Sequence, residues 1–249
     1  MSEKGVSLNE RIKAKEQRKE TERLKQDPEY FYKMSLGRGV DYNFYGDWQK
    51  QYAKMIFNIC EIIKRTGKAK PIMLDVGCAC GVNTRGFREL NVFSSVKGCD
   101  PSGFMIDLGK KTHGFNDEDL FIASADKLVG VRSNSLDFLH CANVLEHCEE
   151  SDIRPILNEF KRVVQPEGVI FITVPAIKDD CPEELIKNNE DHLTVKPFRW
   201  WEDAIDRVFE IQPEIYEKFK ADKHSPDNSK KTFYDYYHIE WTIFLLTRR

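Results

Sequence analysis

Carboxylates at the ends of short apolar runs are the first residues in this 249-residue chain that could do chemistry. Asp75 closes the run Ile72-Met73-Leu74, and the loop Gly77-Cys78-Ala79-Cys80-Gly81 follows at once. Asp100 closes a second run, Val96-Lys97-Gly98-Cys99. An apolar run ending in a small-residue loop suits a strand buried on both faces that feeds a helix, here from Asn83 or Thr84. Small residues at 77, 79 and 81 let the backbone come close to a ligand. The first N–H groups of the helix aim into the same space. An acid at the end of the next strand can accept two hydrogen bonds from ribose hydroxyls. Asp75, Gly77, Cys78, Ala79, Gly81 and Asp100 therefore read as a cradle for a nucleotide-type cofactor.

The spacing separates cofactors. A dinucleotide fingerprint counted from Gly77 needs glycines at 79 and 82, where the chain has Ala79 and Val82. The stretch instead resembles motif I of the class I S-adenosylmethionine (SAM) dependent methyltransferases, (D/E)-x-G-x-G-x-G, with Ala79 at the middle glycine. The resemblance implies SAM as cofactor, S-adenosylhomocysteine as its product, and Asp100 on the ribose of SAM. After the apolar run Leu120–Ala123, the family often carries a small residue and an acid that contact the adenine. Ala125 and Asp126 stand at that place, and Asp126 can equally be a turn or N-cap acid. After Leu136–Cys141, the stretch Ala142-Asn143-Val144-Leu145-Glu146-His147 is similar to the family's strand-end L-E-H signature. That places Asn143 and His147 beside the methionine part of SAM. In many members an N-terminal segment lies over the cofactor, which makes Arg38 and Tyr42, with Tyr45, candidates against plain packing.

The acceptor side is expected after the fifth strand, at the carboxyl end of the sheet. There Asp191 stands next to His192 in a polar loop, a base and its orienter if a hydroxyl is to be methylated. The segment resembles the D-x-T-H-(I/L) stretch, followed by a Trp-bearing helix, of methyltransferases that modify sugars and polysaccharides. Here Trp200 and Trp201 open the helix and the Thr is missing. The resulting expectation is methyl transfer to a hydroxyl of a saccharide or small metabolite. The alternatives are RNA methylation, with the charged segment 1–28 gripping phosphates, and a non-catalytic SAM-binding partner or regulatory protein. No metal is expected: Cys78 and Cys80 lie in the cofactor loop, while His140, Cys141, His147 and Cys148 straddle a strand end.

These residues need a scaffold that brings strand ends to one edge. Apolar runs alternating with helical segments predict an α/β fold: a seven-stranded, mostly parallel, doubly wound sheet with an antiparallel last strand and an N-terminal helical extension. Residues 1–46 read as a charged arm with an aromatic cap segment, and 47–249 as the methyltransferase domain. Trp48, Tyr52, Met55, Ile56, Ile59 and Ile63 recur at helical spacing and predict a packed helix over 47–63. Ile153–Val164 reads as a helix stopped by a turn at Gln165-Pro166-Glu167-Gly168, before the strand Val169–Val174. Trp200–Phe209 reads as a helix, Glu210–Phe219 as a strand and His238–Thr247 as another. A net charge of -3 gives no global pull toward nucleic acid, so RNA is the less favoured partner. Seven cysteines, an odd number without ribbon spacing, argue for a reducing compartment. No stretch is apolar enough for a signal peptide or membrane span, and the expected location is the cytoplasm.

Overall fold

The computed structural model describes residues 45–177, 192–212 and 239–248, together with 29, 32 and 33; side chains within the last strand are described at 244–247. The strands are β1 (Ile72–Val76), β2 (Ser95–Asp100), β3 (Leu120–Ile122), β4 (Leu136–Ala142), β5 (Val164–Ile177), β6 (Phe209–Ile211) and β7 (Ile239–Arg248). They form one sheet in the order β3-β2-β1-β4-β5-β7-β6. β1 pairs in parallel with β2 and β4, and β3 and β5 continue the parallel ladder outward. β7 runs antiparallel between β5 and β6. The chain reverses from β1 outward to β3, then returns to lay β4 on the other side of β1. That switch leaves a crevice at the carboxyl ends of the central strands.

Alternate residues of the central strands feed two separate cores, as a pleated strand requires. Met73, Phe138, Val169 and Phe171 join one cluster with Ala53, Ile56 and Phe87. These last three come from helices α1 (Asp47–Ile59) and α3 (Val82–Glu89). Leu74, Leu139, Ile170 and Ile172 join the other, with Ile153, Leu157 and Trp201. The latter come from α5 (Glu150–Val163) and α6 (Phe198–Asp206). Sheets covered on both faces by helices are the arrangement that buries continuous apolar strands. Between these elements lie the short α2 (Ile62–Thr66) and the longer α4 (Gly103–His113).

Three expectations change. The helix expected over 47–63 breaks after Ile59: Glu61 takes a left-handed φ of 46° and caps the separate α2. Its buried face is also rotated, with Ala53 and Ile56 buried while Trp48 and Met55 are exposed. The exposed Trp48 lies stacked on Tyr52. A large apolar side chain at helical spacing marks a face only where a sheet is there to receive it. Gln165–Gly168 is no break between elements but an excursion within β5. Leu136 faces Val164 and Phe138 faces Val169, so the extra residues bulge out of the ladder while pairing resumes on both sides. Near the C-terminus, the strand expected from Glu210 is short, Phe209–Ile211, and 213–219 lie outside the described residues.

Candidate functional site

The loop after β1 is bound to the end of β2. Gly77 and Cys78 N–H groups both donate to the Cys99 carbonyl, at 2.8 and 3.0 Å, and Gly81 N–H donates to the Cys78 carbonyl at 2.8 Å. Ala79 N–H donates to Asp100 Oδ2 at 3.0 Å. The loop is thus folded on its own amides rather than presenting all of them outward. Gly77 has φ +70°, and a Cβ there would lie 2.2 Å from Val144 Cγ2. Only glycine lets the loop root pass the turn after β4. Ala79 also takes a left-handed φ, 51°. A methyl in that region costs about 1 kcal/mol or more, and strain of this kind clusters at ligand sites. Behind the loop, a Cβ on Gly109 of α4 would lie 2.4 Å from the Cys80 carbonyl oxygen, so a glycine is what lets this helix back the loop directly.

Asp100 ends β2 beside this loop. Its Oδ1 accepts from Ser102 N–H at 2.9 Å, and its Oδ2 from Ala79. Each carboxylate oxygen carries about two lone-pair sites, so one on each remains for a hydroxyl, and the residue is only partly buried. Loss of water around the carboxyl raises its pKa to about 6; the two backbone donors oppose that rise and nearby Asp75 adds to it. An acid with two acceptor sites left, next to a loop of small residues, fits the vicinal hydroxyls of a nucleoside ribose.

Asp75 sits one layer below. Its Oδ2 accepts from Thr84 Oγ1 at 2.6 Å, and its Oδ1 lies 2.7 Å from His140 Nδ1. The other ring nitrogen of His140 lies 2.8 Å from the Tyr52 hydroxyl. Phe171 stacks on the imidazole with centroids 5.5 Å apart. β1 pairs Asp75 with His140 in register, so both side chains point to the α1/α3 face. The chain itself therefore occupies both oxygens of a carboxylate expected at the cofactor. The row ties α1, α3 and β4 together at the root of the loop. His140 belongs to it, not to a metal site.

The other expected cofactor residues follow strand ends on the same edge. Ala125 is buried, and the exposed Asp126 accepts a hydrogen bond from the Ser124 hydroxyl. That bond, with the bridge between Ser124 and Lys127, makes Asp126 a turn residue with its carboxylate still facing solvent. Asn143 takes a left-handed φ of 58° just after β4, and its Oδ1 accepts from Thr173 Oγ1 at 3.2 Å. Tyr45 carries the Arg85 guanidinium over its ring, 4.2 Å from the centroid. Arg38, Tyr42 and Asp191 lie outside the described residues. Burial pushes the thiols of Cys78, Cys99 and Cys141 up, which leaves them protonated packing groups rather than nucleophiles.

His192 meets His147. Their rings stand edge to face with centroids 5.0 Å apart, and both are partly exposed. Thr194 sets this approach: its N–H donates to the Glu146 carbonyl at 3.1 Å, and its hydroxyl to the Cys148 carbonyl at 2.7 Å. Ile177 N–H donates to the Lys196 carbonyl, which extends the same seam from β5. Glu146 lies between, in the short 3-10 turn Leu145–His147, buried and with burial pushing its carboxyl up to about 8. Glu146 stands within Leu145-Glu146-His147, and the sequence pattern alone assigns it no role. Its adjacency to His147 was the available signal. Trp201 is fully buried, and Trp200 packs against it at 89°.

Residues 74–172 match the family model described as "Methyltransferase domain". The matched stretch runs from β1 into β5, and the sheet order around it is that of the Rossmann-like α/β fold of class I methyltransferases. Solved structures share its fold at low identity. Haemonchus contortus phosphoethanolamine N-methyltransferase 2, in complex with S-adenosyl-L-methionine, aligns with a TM-score of 0.52 at 18% identity, over 77% of this chain and 52% of that one. This chain thus spans about half the length of that enzyme. Geranyl diphosphate methyltransferase in complex with SAM aligns with a TM-score of 0.58 at 12% identity, over 80% of this chain and 85% of that one. The cyclase SpnF aligns at 0.53 and 14% identity, over 76% and 79%. No curated protein matches the chain by sequence. No helix among the described residues is long and apolar enough to cross a membrane.

Proposed function

We propose that this protein transfers a methyl group from SAM to a hydroxyl of a saccharide or similar small metabolite. The observation that carries the oxygen acceptor is the approach of His192 to His147, beside the ends of β4 and β5. An amine needs little help to attack, whereas a hydroxyl gains from groups that draw off its proton. Asp100 holds the ribose with the acceptor sites left on its two oxygens. Gly77, Cys78, Ala79 and Gly81 line the close approach, Asp75 acts through the row that roots the loop, and Ala125 and Asp126 flank the adenine. Asn143 and His147 face the amino-acid part. When bound, SAM supplies a methyl on a positive sulfur, ready for in-line attack. The chain aligns the acceptor oxygen with that methyl. The hydroxyl loses its proton at His192. The fold leaves the acceptor open, since its neighbours are named for substrates as different as phosphoethanolamine and geranyl diphosphate.

The test is His192→Ala against a panel of hydroxylated and amine acceptors with labelled SAM. The expected result is cofactor affinity within about twofold of wild type and transfer to oxygen reduced on the order of a hundredfold. Undiminished transfer to oxygen would remove His192 from the reaction. Transfer only to amines, or to RNA, would replace the acceptor class.

A further inference from the structure

Glu146, His147 and His192 converge from two segments, the turn after β4 and the stretch leading into α6. One ligand atom from each, two imidazole nitrogens and a carboxylate oxygen, all lie within 4.8 Å of one another. Glu146 is 2% exposed, and its Oε2 has no hydrogen-bond partner among the described residues. A buried carboxylate oxygen without a donor is costly, and counter-charge is what relieves it. The geometry is built rather than incidental, because Thr194 fixes the His192 segment to the backbone of both Glu146 and Cys148.

We propose that Glu146, His147 and His192 hold a divalent cation at the acceptor end of the crevice. Ligand bonds of about 2.1 Å put the donors around one ion no more than about 4.2 Å apart, so small side-chain rotations bring this set to coordination distance. Two imidazoles and one carboxylate suit a borderline ion such as Zn2+, Fe2+, Co2+ or Mn2+. Three protein ligands leave positions for water and for an acceptor oxygen, and the part-exposed histidines keep those positions reachable. The inference rests on the oxygen-acceptor reading and deepens it. A hydroxyl bound to the cation loses its proton more readily, and that proton passes to solvent. The freed oxygen pair forms the new O–CH3 bond, while the broken S–CH3 pair stays on sulfur. With the ion bound, His192 serves as a ligand that activates the acceptor through the ion, in place of taking the hydroxyl proton itself.

The test uses the full chain, stripped with chelator and titrated with Co2+ by calorimetry and visible absorption. Saturable binding of one equivalent is expected, weakened at least about tenfold by His192→Ala and by Glu146→Gln. Glu146→Gln keeps the size of the buried side chain, and circular dichroism verifies that both variants are folded. Equal affinity in wild type and both variants, or the intense thiolate absorption of Co2+ at cysteine, overturns the site. Methyl transfer is read on the same samples. Transfer to hydroxyls that survives the chelator, with no Co2+ bound, overturns the cation and leaves the proposed reaction standing. Co2+ binding that both variants lose, with no hydroxyl methylated, supports the site and overturns the acceptor.

Discussion

Replacing Asp100 by alanine removes the carboxylate proposed to hold the ribose of SAM. Each of its oxygens already accepts one backbone N–H, from Ser102 and Ala79, so two acceptor sites remain for two hydroxyls. A hydrogen bond to a charged acceptor contributes roughly 1.5–3 kcal/mol. Losing two at the lower bound costs about 3 kcal/mol, on the order of a hundredfold in SAM affinity. Titration tests the same reasoning without a large structural change. The Asp100 carboxyl has its pKa raised to about 6 by burial. At pH 5 only about one-tenth of it is ionised, so SAM affinity should fall about tenfold from its value above pH 7. The sign for stability is opposite. A folded-state pKa above the unfolded value near 3.8 means the native state holds the proton more tightly. Its contribution is fully present below about pH 4 and lost as pH rises through about 6, on the order of 2 kcal/mol after solvent screening. Calorimetric titration of SAM and thermal melts of the ligand-free protein, between pH 4.5 and 7.5, read the two effects. Asp100→Asn is the control, and it should flatten both profiles. A SAM affinity of Asp100→Ala within about twofold of wild type, or a flat affinity profile for wild type, would refute the placement.

Gly77→Ala puts a Cβ 2.2 Å from Val144 Cγ2 at a φ of +70°. Strain plus overpacking predicts a loss of roughly 2–4 kcal/mol, read by urea unfolding; a loss below about 0.5 kcal/mol would mean the loop root relaxes freely. Thr194→Ala removes the hydroxyl bond to the Cys148 carbonyl and loosens the segment that carries His192. Transfer should fall on the order of tenfold with SAM affinity unchanged, and a loss of SAM affinity instead would move Thr194 to the cofactor side.

Local patterns carried much of the fold, including the loop and strand ends expected to hold the cofactor. Asp75, Asp100 and the 77–81 loop announce themselves because a strand end, its acid and its small-residue turn are contiguous in the chain, and parallel pairing brings such ends to one edge. The face of α1 was not legible from Trp48 and Met55, because periodicity says which residues share a side but not where the sheet will lie. The excursion at Gln165–Gly168 read as a stop because proline and glycine punctuate locally, whereas the ladder between β4 and β5 resumes across it.

The sequence by itself determined that a small-residue loop would follow the strand ending in Asp75 and meet the strand ending in Asp100, and that the sheet would be wound on both faces. Those outcomes depend on residue type and short spacing, which a single chain displays openly. Only the tertiary structure decided that Asp75 faces Thr84 and His140 instead of the crevice, and that Glu146, His147 and His192 stand together. The first follows from which face of β1 the pleat assigns to residue 75. The second follows from Thr194 docking a distant segment onto the turn after β4. Both are matters of packing between parts of the chain far apart in sequence, where no local pattern records the partner.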